Sequence, residues 1–133
     1  MENDIVQVAV GVVYREQRYF ITQRHSDAHQ GGKWEFPGGK VEQYETVAQA
    51  LARELAEEIA IEVLACQPLI TINHQYADKQ VLLEVFFVDQ FIGEPCAQEG
   101  QVQRWVSLNE LSTLNFPEAN HAIIEKLRDS VEL

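Results

Sequence analysis

Basic residues are scarce in this sequence: ten Lys and Arg stand against 21 Asp and Glu, a formal net charge of -11 over 133 residues. A chain this acidic has no stripe of cations with which to displace counterions from a nucleic-acid backbone, so direct docking on DNA or RNA is not expected. Acidity does not exclude a small anionic ligand, but an arginine, a helix N-terminus or a bound cation must then cancel the local repulsion. Long apolar runs are missing as well, so no segment is expected to span a bilayer. The opening "MENDIVQVAV" lacks the basic and apolar regions of a secretion signal. Only two cysteines occur, Cys66 and Cys96, and they show no ligand-like spacing. Two free thiols in a reducing cytosol are the plain expectation, with a single disulfide as the alternative. Repeats, low-complexity tracts and linkers are absent. With 46% hydrophobic and 23% charged residues, residues 1–133 suit one compact domain with one core.

The apolar pattern predicts an α/β chain. Ile5 to Arg15, "IVQVAVGVVYR", reads as a buried strand. The polar pair "EQ" then leads into Arg18 to Arg24 as a hairpin partner. His25 to Trp34 and the Pro-Gly-Gly segment "EFPGGK" read as loops. Thr46 to Ile59 reads as a helix, capped by Thr46 with Gln49 completing a T-x-x-Q box. Val81 to Ile92 is strand material too continuously apolar to face water on one side, and Val102 to Leu108 is a shorter strand. Ile123, Ile124, Leu127 and Val131 recur at helical spacing and predict a terminal helix from Glu118 to Leu133. Strands, helix, strands, helix imply a sheet with helices packed on it.

The unusual feature is "RELAEE", Arg53 to Glu58. Glu54, Glu57 and Glu58 lie three and four residues apart, so on a helix they share one arc. Leu51, Leu55 and Ile59 form the adjoining apolar arc, which puts Glu58 nearest the core. A solvated acidic face is one reading, although like charges four apart oppose a helix by roughly 0.2–0.5 kcal/mol per pair. The other is a divalent-cation site, where clustered carboxylate oxygens suit Mg²⁺ and a further carboxylate can polarise a water. The Gly-Gly loop directly before the capped helix favours the second, since a loop glycine can present its carbonyl to an ion.

Gly39, five residues, Glu45, seven residues and then "RELAEEIAI" resemble the Nudix box, G-x5-E-x7-R-E-U-x-E-E-x-G-U, with U a bulky apolar residue. Leu55 and Ile61 stand at the U positions. Ala60 replaces the late glycine, where a left-handed residue usually ends the helix, so a slightly altered helix end with intact chemistry is expected. "VAVGVVYR", "FITQR", "DAH", "WEFPGGKVE", "GEP", "EGQ" and "FPEAN" extend the likeness to the MutT branch over nearly the whole chain. The resemblance implies the Nudix fold, an α/β/α sandwich around a mixed β-sheet. It implies Mg²⁺-dependent hydrolysis (Mn²⁺ able to substitute) of oxidised guanine nucleotides, notably 8-oxo-dGTP, to the monophosphate and pyrophosphate. Such an activity cleans the nucleotide pool and so prevents mutation. A monomer whose only partner is the nucleotide is expected.

Residue roles follow from the same resemblance. Glu54 would be the general base or its helper, with Arg53 orienting the glutamates. Glu54, Glu57, Glu58 and Glu99 would ligate metal together with the Gly38 carbonyl, and Glu99 would also assist with the water. Glu45 is expected to be structural and to point away from the acidic arc. Asn120, in "FPEAN", would read the oxidised purine, because an amide offers both donor and acceptor; capping the terminal helix is its other possible use. Arg24 and His29 would meet the phosphates and sugar. Phe36 would line the pocket, with the backbone of Glu35, Phe36, Pro37 and Gly38 against the nucleotide. Lys79 would also contact the substrate, at a position where relatives in the branch carry arginine, and Tyr44 stands where a glycine is common. His25, His74 and His121 show no ligand pattern, and Trp34 and Trp105 read as packing residues. The rival readings are a Nudix diphosphatase for CTP or ADP-ribose, a catalytically dead nucleotide sensor, and an acidic interaction module.

Overall fold

The structure, a computed structural model, describes residues 4–26 and 31–131. Two long parallel strands, β1 (Asp4–Arg15) and β6 (Lys79–Ile92), form its centre, in register from Asp4 beside Lys79 to Val13 beside Val88. β6 is also antiparallel to β5 (Glu62–Gln75), which makes the sheet mixed. This central position explains the near-continuous apolar run of β6. Val85 packs into the core on one face and Val88 into the core on the other.

β1 turns into β2 (Arg18–Gln23) through Glu16 and Gln17, at φ 51° and 65°. Two left-handed residues make the turn whose twist matches the flanking strands. Beyond the hairpin end β1 and β2 part. The fork is filled by β3 (Trp34–Glu35), which pairs with β2, and β4 (Gly38–Lys40), which pairs with β1. The "EFPGGK" segment expected to be loop is therefore largely strand. Pro37 sits at the break, and its carbonyl accepts from the Gly11 N–H at 2.9 Å. β7 (Gln103–Val106) covers the other edge of β2 and ends two residues earlier than expected, because Ser107 and Glu110 cap the short helix α2 (Leu108–Leu111).

Helix α1 (Val47–Ile59) lies on one face of the sheet, with Leu51, Leu55 and Ile59 buried against Ala9, Val13, Phe20 and Val88. The expected capping box is formed: Thr46 Oγ1 accepts from the Gln49 N–H, and Gln49 Oε1 accepts from the Thr46 N–H. On the opposite face, α3 (His121–Val131) buries Ile123, Ile124 and Leu127 against Val10, Val12 and Ile21. The result is the α/β/α sandwich. The terminal helical segment begins as a 3-10 turn, Glu118–Asn120, before α3.

Strand β5 had no counterpart in the sequence reading. It is an edge strand with no buried residue, and it has register shifts against β6 between Val63 and Ala65, Ala65 and Gln67, and Pro68 and Ile70. Those irregularities break the alternation that identifies a strand.

Ala60 takes the left-handed conformation of the usual glycine, φ 60° and ψ 37°, and its N–H still bonds back to the Ala56 carbonyl at 3.2 Å. The helix end is thus kept, at the expense of local strain, rather than altered. Ala60→Gly should raise stability by about 1 kcal/mol, roughly 3–5 °C in melting temperature. A melting curve unchanged or lowered by the substitution would refute the strain.

Candidate active site

The acidic arc is organised around one guanidinium. Arg53 grips Glu45 with two bonds, Nη2 to Oε1 at 2.6 Å and Nε to Oε2 at 3.1 Å. Its Nη1 donates to Glu54 Oε1 at 2.8 Å and stands 3.5 Å from Glu57 Oε2, while Nη2 also reaches the Lys40 carbonyl. Charge-assisted and forked, these bonds fix the direction of the Glu54 carboxylate. The Arg53 hydrogen bonds, together with the Glu42 N–H, hold the Glu45 carboxyl below its ordinary range. Glu45 therefore does not simply point away from the arc. From just before the helix it meets Arg53, eight residues further on, and anchors the arginine that orients Glu54, a role that spacing along the chain did not disclose.

The glycines of β4 make close approach possible. A side chain on Gly39 would collide with the Glu54 carboxylate, and one on Gly38 with the Ala9 carbonyl in β1. The Gly38 N–H donates to Glu58 Oε2 at 2.9 Å. Glu58 is the most perturbed acid of the site, pushed up to about 7, chiefly by burial and further by the charges of Glu35, Glu54 and Glu99; the Gly38 bond opposes the rise. Glu57 is mostly exposed. Glu99 lies on a turn beyond a loop that closes the end of α1, where the Cys96 and Gln98 N–H groups bond to the Ile59 and Glu58 carbonyls at 3.0 and 2.9 Å. Those bonds occupy helix-end acceptors that would otherwise lack partners, and they bring Glu99 within electrostatic reach of Glu58.

The raised Glu58 carboxyl has a definite consequence for the metal-free protein. Its folded-state value lies above the unfolded one, so ionisation opposes folding. The penalty is absent below pH ~4, grows through the window up to about 7, and is complete by pH ~8, where it is on the order of 3 kcal/mol. In EDTA, Glu58→Gln should melt with the wild type at pH 4 and above it at pH 8. Parallel melting temperatures across that range would contradict the assignment.

On the far side of the β4 backbone is a cleft of about 290 Å³. Arg24, Glu35, Phe36, Gly38 and Asn120 all line it. Arg24 Nη1 donates to Glu35 Oε2 at 2.7 Å across the mouth. Phe36 is buried and stacks on Phe116 at 5.3 Å between centroids, so it forms a fixed wall. Asn120 ends the 3-10 turn. Among the described residues its side-chain amide makes no hydrogen bond, so it does not cap α3, and both its donor and its acceptor remain for a ligand. Pro37 is buried in the fork rather than on the cleft wall, and exposed Lys79 borders a neighbouring depression with Tyr76 and Asp78. His29 lies outside the described residues. His74 and Tyr76, rings edge-on at 4.6 Å, line the same cleft as Asn120. His74 shows no ligand pattern in the sequence and Tyr76 is not distinguished there, because one lies in the irregular strand β5 and the other just past its end. Trp34 and Trp105 pack as expected, Trp105 edge-on to Phe20 and Trp34 beneath the Arg104 guanidinium.

A family model described as the NUDIX domain matches residues 8–126. The chain belongs to the Nudix family. It is 40% identical over 124 residues to an 8-oxo-dGTP diphosphatase of Escherichia coli, a match covering 92% of this chain and 96% of that protein. A CTP pyrophosphohydrolase of the same species is 33% identical over 113 residues, covering 85% and 82%. Among solved structures, a MutT from a study of the Aliivibrio salmonicida and Vibrio cholerae proteins superposes with a TM-score of 0.82 at 34% identity, over 92% of this chain and 96% of that one. The chain is accordingly a Nudix hydrolase.

Nudix hydrolases generally use divalent metal ions. Among the described residues no three Asp, Glu, His or Cys side chains are gathered closely enough to form a cage by themselves. The donor set nonetheless suits a hard cation. It is all oxygen, its members repel one another at Glu58, and Mg²⁺ is commonly held by one or two carboxylates with waters and substrate phosphates completing the shell. No helix among the described residues is long and apolar enough to cross a membrane.

Proposed function

We propose that this Nudix hydrolase converts 8-oxo-dGTP to the monophosphate and pyrophosphate with the help of Mg²⁺, and so removes an oxidised precursor before it can be built into DNA. One observation carries the reading. The β4 backbone is shared by two sites: its cleft side faces the unbonded amide of Asn120, and its Gly38 N–H reaches Glu58 on the acidic side. A nucleotide lying across Gly38 could therefore place its base beside Asn120 and its phosphates beside the glutamates. The similarity to an 8-oxo-dGTP diphosphatase supports the choice of base.

A bound Mg²⁺ or Mn²⁺, with Glu54, Glu57, Glu58, Glu99 and the Gly38 carbonyl as proposed ligands, supplies the positive charge that makes a triphosphate tolerable here. The protein supplies orientation and a base. Arg53, anchored by Glu45, holds Glu54 so that its carboxylate takes the proton of the attacking water. The water oxygen bonds to one phosphorus of the α–β anhydride, and the bridging oxygen leaves, in line with the attack, on the other product, which gives the monophosphate and pyrophosphate. No covalent enzyme intermediate is required. Arg24 serves the phosphates or sugar at the cleft mouth, as does His29, while Phe36 walls the base. Cys66 and Cys96 are free thiols, in keeping with the cytosol as the proposed location.

The test is a comparison of kcat/KM for 8-oxo-dGTP, dGTP, CTP and ADP-ribose, with and without Mg²⁺. The proposal expects 8-oxo-dGTP to lead and pyrophosphate release to need the cation. A lead for CTP would move the chain toward the substrate of its other relative.

A further inference from the structure

Thr22 is a polar residue without an assigned task. It is 1% exposed, and among the described residues its Oγ1 has no hydrogen-bond partner. A buried hydroxyl left unpaired is costly enough that it calls for an explanation, commonly an ordered water or a functional role. Its position offers one. Along β2, Tyr19 and Ile21 face the α3 core and Phe20 faces the α1 core, so alternation turns Thr22 toward α1 and the acidic arc. Its cross-strand neighbours are Glu35 on one side and Gln103 on the other. Both belong to the acidic site's surroundings. Glu35 is among the charges that push Glu58 up. Gln103 Oε1 accepts from the Ala97 N–H at 2.6 Å, and so fastens the loop that carries Glu99. The orphan hydroxyl is thus turned to the α1 face of the sheet, flanked by Gln103 and by Glu35, whose carboxylate Arg24 holds on its other side.

We propose that Thr22 is a positioning residue for this site: its hydroxyl, through one ordered water, holds the Glu35 and Glu58 carboxylates in the arrangement that receives the cation. The hydroxyl can donate toward that water and accept from it, whereas the carboxylates can only accept, so a bridging water satisfies every group. Thr22 itself touches neither substrate nor metal. The inference rests on the divalent-cation site described under the proposed function, but not on the identity of the nucleotide.

Thr22→Val keeps the shape and removes the hydroxyl; Thr22→Ser keeps the hydroxyl and removes a methyl group. In calorimetric titrations with Mn²⁺ alone, Thr22→Val should bind about tenfold more weakly than the wild type, and Thr22→Ser should bind nearly as well. With substrate, Thr22→Val should lose a similar factor in kcat with little change in KM, and its melting temperature in EDTA should be no lower than that of the wild type. A purely structural role would leave Mn²⁺ affinity untouched. Wild-type Mn²⁺ affinity and turnover in Thr22→Val would overturn the proposal. So would a high-resolution crystal structure of the wild type with no ordered water within about 3.5 Å of Oγ1, which decides the matter even if Thr22→Val does not fold. A wild type inert toward 8-oxo-dGTP would defeat the substrate assignment alone, because the Mn²⁺ titrations need no nucleotide.

Discussion

Glu54→Gln should lower kcat by about 10³-fold, within the range of rate typically contributed by a positioned general base. The size of the effect follows from how little else the substitution disturbs. Glutamine retains an oxygen that can accept from Arg53 Nη1, which now donates to Glu54 Oε1 at 2.8 Å. It also keeps the shape that packs on Gly39. What it cannot do is take a proton from water or carry the negative charge offered to a cation. The fold and melting temperature should therefore stay close to those of the wild type while turnover collapses. Circular dichroism with single-turnover kinetics would separate the two effects. A variant within tenfold of wild-type rate would exclude Glu54 as the base and transfer the role to Glu57, Glu58 or Glu99, the other proposed carboxylate ligands.

The second large effect concerns selectivity. Asn120→Ala should reduce the kcat/KM ratio of 8-oxo-dGTP to dGTP by about 10- to 100-fold, the ~1–3 kcal/mol typical of a paired donor–acceptor contact to a base. The amide makes no hydrogen bond to the described residues, so alanine removes no internal bond and stability should hold within about 0.5 kcal/mol. Phe36, stacked on Phe116, should still bind either base without discriminating between them. The measurement is competition between the two triphosphates in one reaction. An unchanged ratio would remove Asn120 from base reading and leave His74 and Tyr76, which line the same cleft, as the residues to vary next.

Features that were legible in the sequence depend on short-range regularities. The α1 cap was visible because Thr46 and Gln49 are three residues apart and bond each other directly. The common arc of Glu54, Glu57 and Glu58 was visible because helix geometry alone decides it. The apolar run of β6 announced a strand covered on both faces, and the structure places it between β1 and β5. Irregular or very short elements were less legible. β5 is interrupted by register shifts. β3 and β4, with two and three residues, are too short for a period and look like loops.

By itself, the sequence determined which residues could do chemistry and which helix face they share, since those follow from residue type and a fixed rotation per residue. Only the tertiary structure decided what those residues touch. Glu45 meets Arg53, Arg24 meets Glu35, Gly38 meets Glu58, and Thr22 is sealed between β3 and β7. Each contact depends on the register in which strands and helix pack. That register is set by burying two apolar faces at once, a property of the whole chain that no local pattern encodes.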